Sequence, residues 1–101
     1  MIGRELGEKL RIAFSLEGLA AVVAALGSSL RAARIWGAAD RLRAEAGSPL
    51  PPKDRPDYDR RVAVARTRGD NAAFDRAWQE GRALTLEQAM ELALKETVDE
   101  P

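Results

Sequence analysis

Along the whole chain apolar residues recur at steps of three and four with polar residues between them, and no stretch alternates with a period of two. That periodicity predicts helices and nothing else. Over residues 5–26 the apolar positions are Leu6, Leu10, Ala13, Leu16, Leu19, Ala20, Val23 and Leu26. Gly27 stands where a glycine closes a helix, and Ser28 or Ser29 is placed to cap the next one. The second helix, 29–46, presents Ala32, Ile35, Trp36, Ala39, Leu42 and Ala46 on one side and stops at Gly47. The stretch SPLPP, residues 48–52, holds the backbone extended.

A third helix, 54–68, starts at Asp54 or a neighbour, tolerates Pro56 in its first turn, and carries Tyr58, Val62 and Ala65 on its apolar side. A fourth, 71–80, has Asp70 as its N-cap, a stripe of Phe74, Ala77 and Trp78, and Gly81 as its stop. The fifth, 86–97, opens with the capping box TLEQ, in which Thr85 caps and Gln88 reaches back. Its stripe is Leu86, Ala89, Met90, Ala93 and Leu94, and the tail KETVDEP is expected to fray.

The fold expected from this pattern is all-α: about five antiparallel helices forming one domain over residues 1–101. Two helices joined by a tight glycine turn pack closely only where small residues meet, with a large residue filling the groove beside them. Ala20 and Ala32 suit the crossing, Trp36 fills the gap, and Ala39 leaves room for another helix. Residues 58–81 echo the arrangement, with Tyr58, Val62, Ala65, Gly69, Phe74, Trp78 and Gly81 at equivalent spacings.

Leu16, Leu19, Ala20, Val23, Gly27, Ala32, Trp36 and Ala39 together form a pattern that resembles a tetratricopeptide repeat, although Leu16 stands in place of the usual first-helix tryptophan and the closing proline is absent. Over about residues 8–96 the succession EGLAAV, AARIWGAADRLR, GSPLPP, YDRRV and FDRAWQEGRALTLEQA is similar to the C-terminal end of large bacterial signal-transduction ATPases and LuxR-type transcriptional regulators. The resemblance implies a right-handed helical array, of which this chain is a fragment or C-terminal cap with residues 84–94 as the capping helix. It implies no catalytic residues, and no nucleotide-binding loop of the form G-x4-G-K-S/T is present.

Composition narrows the chemistry. There is no cysteine and no histidine, which excludes disulfides, thiolate and imidazole metal sites and histidine-dependent triads. No apolar run has the length of a membrane span, the N-terminus lacks a signal-peptide layout, and a cytoplasmic location is expected. Net charge is zero but uneven: residues 31–68 hold ten bases and five acids, residues 69–101 three bases and eight acids. Asp54, Asp57 and Asp59, and Asp70 and Asp75, fall at helix starts, where carboxylates favour the first turn, so no metal or acid–base role is expected of them.

A non-enzymatic protein–protein interaction or sensory scaffold without cofactor or metal is therefore expected, with a protein or peptide as partner and Arg34, Arg41 and Arg61 as the candidate partner-binding surface. The alternative is a small nucleic-acid-binding regulator using the basic helix that carries Arg60, Arg61, Arg66 and Arg68, which is countered by the acids interleaved with them. The first helix is apolar on more than one face, with Ile12, Leu16 and Leu19 on one side and Leu6, Leu10 and Phe14 on another. Self-association through that helix is expected.

Overall fold

The computed structural model describes residues 2–98. They form five α-helices and, among the described residues, no strand: α1 (Ile2–Ala25), α2 (Ser29–Ala46), α3 (Arg55–Thr67), α4 (Asn71–Arg82) and α5 (Leu86–Val98). The first helix begins three residues earlier than its apolar pattern suggests, and α5 runs on to Val98. The rest of the tail that was expected to fray, residues 99–101, and the side chain of Ala93 lie outside what is described.

Local chemistry sets four of the helix ends. Gly27 and Gly47 both take positive φ, 96° and 65°. At each, the glycine N–H and the following N–H turn back to the last turn of the helix: Gly27 to Ala24 and Ser28 to Val23, Gly47 to Ala44 and Ser48 to Arg43. These paired bonds satisfy carbonyls that the helix leaves open, and only glycine adopts the conformation without strain. Asp70 accepts a bond from the Ala72 N–H at 2.8 Å and so caps α4. The Gln88 N–H donates to Thr85 Oγ1 at 3.1 Å while the Thr85 N–H donates to Gln88 Oε1 at 2.9 Å, which completes the capping box of α5.

Two expected caps are not made. Ser28 and Asp54 occupy the N-cap positions of α2 and α3, and neither side chain bonds to the helix it precedes. Asp54 has helical φ and ψ, −94° and −15°, and its own N–H is held by the Pro51 carbonyl in the preceding turn. A capping residue usually takes extended backbone angles instead, and the Asp54 carboxylate makes no bond to the amides of α3.

α2 is the central element. Ala32, Ala33, Ile35, Trp36, Gly37, Ala38, Ala39 and Leu42 are all buried, because α1 covers one side of the helix and α4 the other. From α1 come Ala13, Leu16, Ala20, Val23 and Ala24, and from α4 Phe74 and Ala77. Leu30 and Arg31 lie near Ala73 and Phe74, Gly37 against Trp78, and Asp40 beside Arg82. The numbers rise together, so α2 and α4 run side by side in the same direction. α1 and α3 do likewise: Phe14 and Gly18 share a cavity with Asp57 and Tyr58, and Ala24 meets Arg68. α3 is docked more lightly, with only Ala65 fully buried and Tyr58 and Val62 packed against the core.

Gly81 corrects the expected end of α4. The helix continues through it to Arg82, and Gly81 is buried against α2 at the Arg34 carbonyl. By contrast Gly7, inside α1, has open space where a side chain would start. Gly7→Ala is expected to raise stability by about 0.5–1 kcal/mol, because alanine costs less backbone entropy in a helix and nothing obstructs its methyl group. Urea unfolding followed by circular dichroism measures this, and a loss of stability would place Gly7 in a contact.

Candidate functional site

Two clefts meet at Tyr58, a residue the sequence pattern marks as part of an apolar stripe. The first is a groove between α1 and α3. Its upper part, a cavity of about 360 Å³, is walled by Phe14, Gly18, Leu50, Asp54 and Arg61, with Trp36 and Tyr58 at its floor. Ala21 and Arg61 line it and also the next cavity, of about 400 Å³, which runs on between Ala24 and Ala25 of α1 and Val64 and Ala65 of α3. Arg60 and Arg68 edge that lower part, which no carboxylate lines. Phe14 is 72% exposed and Val64 47%, so the groove is bordered by apolar side chains that stand in water.

The second cleft, of about 470 Å³, lies under the SPLPP segment between the end of α2 and the start of α3, and is lined by Glu17, Asp40, Arg43, Tyr58, Asp59 and Trp78 among others. Arg43 and Glu17 form a two-pronged ion pair across the α1–α2 hairpin, Nε to Oε2 at 2.5 Å and Nη2 to Oε1 at 2.9 Å. Both side chains are only 12% exposed. The hydrogen bonds to Glu17 raise the Arg43 pKa despite the opposing effect of burial, so the guanidinium stays charged. Its Nη1 also donates to the Ser48 carbonyl at 3.3 Å, tying the hairpin to the proline segment. Burial, and then the negative charges of Asp40 and Glu17, push the Tyr58 hydroxyl pKa up, so it stays protonated.

Sequence pattern did not reveal this pair. Glu17 follows buried Leu16 and Arg43 follows buried Leu42, each at the edge of a core stripe, and that placement on two antiparallel helices is the signal that was available.

The three arginines expected to bind a partner do not converge. Arg34 donates to Glu80 Oε1 from Nε at 3.2 Å and Nη2 at 2.9 Å, joining α2 to α4. Arg41 donates to the Arg82 carbonyl at 2.6 Å and to Glu45 Oε2 at 2.9 Å. These two lie on the seam between α2 and α4, and only Arg61 reaches the groove, where Asp57 lies 3.3 Å away.

The basic residues of α3 are divided in the same way. Arg60 pairs with Asp57, Arg66 with Asp75 while stacking over the Phe74 ring at 5.0 Å, and Arg68 donates to the Ala24 carbonyl at 2.8 Å. The last of these closes the C-terminus of α1, where a cation is favourable. The carboxylates serve as a cap at Asp70 and as partners of arginines at Asp57, Asp59 and Asp75. Among the described residues no three carboxylates converge as a metal ion would require, and no helix is long and apolar enough to cross a membrane.

Comparison with family models, with curated proteins and with solved structures finds no match.

Proposed function

We propose that this chain is a non-enzymatic protein–protein interaction or sensory scaffold module, belonging to a cytoplasmic bacterial transcriptional or signalling regulator, and that its binding face is the groove between α1 and α3. The observation that carries the reading is that groove: two continuous cavities with an aromatic and alanine floor, bordered by exposed Phe14 and Val64 and by Arg60, Arg61 and Arg68. An apolar cleft with a charged edge suits a peptide or helix that inserts apolar anchors and pairs its own charges at the rim.

We further propose that the helices follow a right-handed, tetratricopeptide-like array. Its support is a shared register. α3 lies beside α1, and α4 beside α2, each in the same direction. Trp36 and its counterpart Trp78 stack with ring centres 6.4 Å apart, as equivalent residues of successive helical pairs do when one pair lies on the next. In such an array the groove between first helices is a continuous surface.

Peptide display on the immobilised chain tests the reading. Selected peptides are expected to lose at least tenfold in affinity for a Phe14→Ser, Val64→Asp double variant, and duplex DNA is expected not to bind even at low salt. Equal peptide affinity for both proteins would overturn the groove. Tight DNA binding that weakens steeply with salt would instead favour a nucleic-acid regulator.

A further inference from the structure

We propose that the α1–α3 groove is closed by a second copy of this chain, with the two α1 helices antiparallel about a two-fold axis. The proposal rests on the reading of that groove as the interaction face and names its occupant.

Phe14, Gly18, Ala21 and Ala25 follow one another at steps of four, three and four, so they form a single line along α1. That line faces the groove, since each of the four lines one of its two cavities. Phe14 is a large ring, 72% exposed, and the other three are small. A Cβ built on Gly18 meets nothing within 4 Å, so the surface beside it is open for another backbone to approach closely.

An axis passing beside Gly18 reverses one copy on the other. Phe14 of each then lies over Ala21 and Ala25 of the partner subunit, at the mouth of the cavity of about 400 Å³ that Val64 and Ala65 help to line. That space is ample for a phenyl ring, since an apolar cavity of roughly 150 Å³ already holds benzene. One ring and one cavity per copy therefore satisfy each other twice, which is the form of a closed, isologous contact.

The charges agree with the reversed arrangement. At the Phe14 end the groove carries three carboxylates, Glu17, Asp54 and Asp57, beside two guanidiniums, Arg43 and Arg61. At the Ala25 end it carries Arg60, Arg61 and Arg68 and is lined by no carboxylate, the first two reaching back to Asp57 at the other end. Reversal sets the arginine-rich end of each copy on the more acidic end of the other, whereas a parallel pairing would set arginines on arginines.

The chain contains no cysteine, so a single introduced thiol reports on the axis without interference. Gly18→Cys is expected to form a covalent dimer rapidly under mild oxidation. Arg76→Cys, at an exposed position of α4, is expected to remain largely monomeric under the same conditions. In sedimentation equilibrium the unmodified chain is expected to be a dimer, and Phe14→Arg to weaken the dimer at least tenfold while its thermal unfolding at low concentration is unchanged. A monomer at every concentration would overturn the second copy as occupant; if the display-selected peptides still discriminated the groove variant, the groove itself would stand. A dimer unaffected by Phe14→Arg, with Gly18→Cys no more reactive than Arg76→Cys, would overturn the groove as the contact between copies.

Discussion

Trp36→Ala is expected to lower the stability of the chain by about 3–5 kcal/mol, the range found for emptying a buried tryptophan site. Trp36 is only 1% exposed and is the largest fully buried side chain. It joins three helices through aromatic contacts. Tyr58 of α3 meets its edge at a ring-centre distance of 6.3 Å and an interplanar angle of 73°, and Trp78 of α4 stacks on it at 6.4 Å and 30°. Trp78 in turn lies 6.1 Å from Phe74, so the cluster extends one turn back along α4. Each such pair adds about 0.5–1.5 kcal/mol beyond the area it buries, which places the expected loss toward the upper end of the range. Because α3 has few other buried contacts, it is expected to loosen first, and its amides to exchange hydrogen faster than those of α2. Trp36→Phe retains an aromatic centre and is expected to lose less. Guanidinium unfolding followed by far-ultraviolet circular dichroism reads these values directly, and a loss below about 1 kcal/mol for Trp36→Ala would mean that the ring is not the pin between these helices.

The position of Trp36 was legible because its causes are local. A helical stripe, a closing glycine and a capping box are written in neighbouring residues, and Gly27, Gly47, Asp70 and the Thr85–Gln88 pair all do what their spacing predicts. What failed was what depends on a distant element. Ala33, Gly37 and Ala38 lie outside the single apolar stripe expected of α2, and they are buried because α4 arrives on that side. Arg34, Arg41 and Arg61 are alike in sequence, but two of them were drawn to acceptors on α4 and only one was left facing a groove. The Glu17–Arg43 pair and the α1–α3 groove likewise exist only once the hairpin and α3 are assembled. A glycine is the hardest case, because sequence does not distinguish one kept for its dihedral angles from one kept for want of a side chain.

Gly81 is of the second kind, and it is the residue whose substitution should be least tolerated for its size. A Cβ there would stand well inside 3.0 Å of the Arg34 carbonyl oxygen and 2.9 Å from the Ala38 amide nitrogen. Gly37 faces the same approach from α2, where a Cβ would lie 2.9 Å from the Trp78 carbonyl carbon and nearer still to its oxygen. Real Cβ atoms essentially never come within 3.0 Å of such neighbours. The obstructing atoms are backbone in both cases, so no rotamer change relieves the clash and the two helices must part. Parting them withdraws Phe74 and Ala77 from α2 and stretches the Arg34–Glu80 and Asp40–Arg82 pairs across the seam. Gly81→Ala is therefore expected to destabilise by about 3 kcal/mol, the upper end of the usual cost of overpacking, against a helix-propensity gain of about 1 kcal/mol. Gly37→Ala is expected to act in the same direction. Since each methyl alone forces the helices apart, the double variant should lose less than the sum of the two. Chemical unfolding of Gly7→Ala, Gly37→Ala and Gly81→Ala side by side separates the two roles of glycine: the first should gain stability while the other two lose it. If Gly81→Ala instead gained as Gly7→Ala does, α2 and α4 would not cross at these residues, and the central position of α2 would have to be given up.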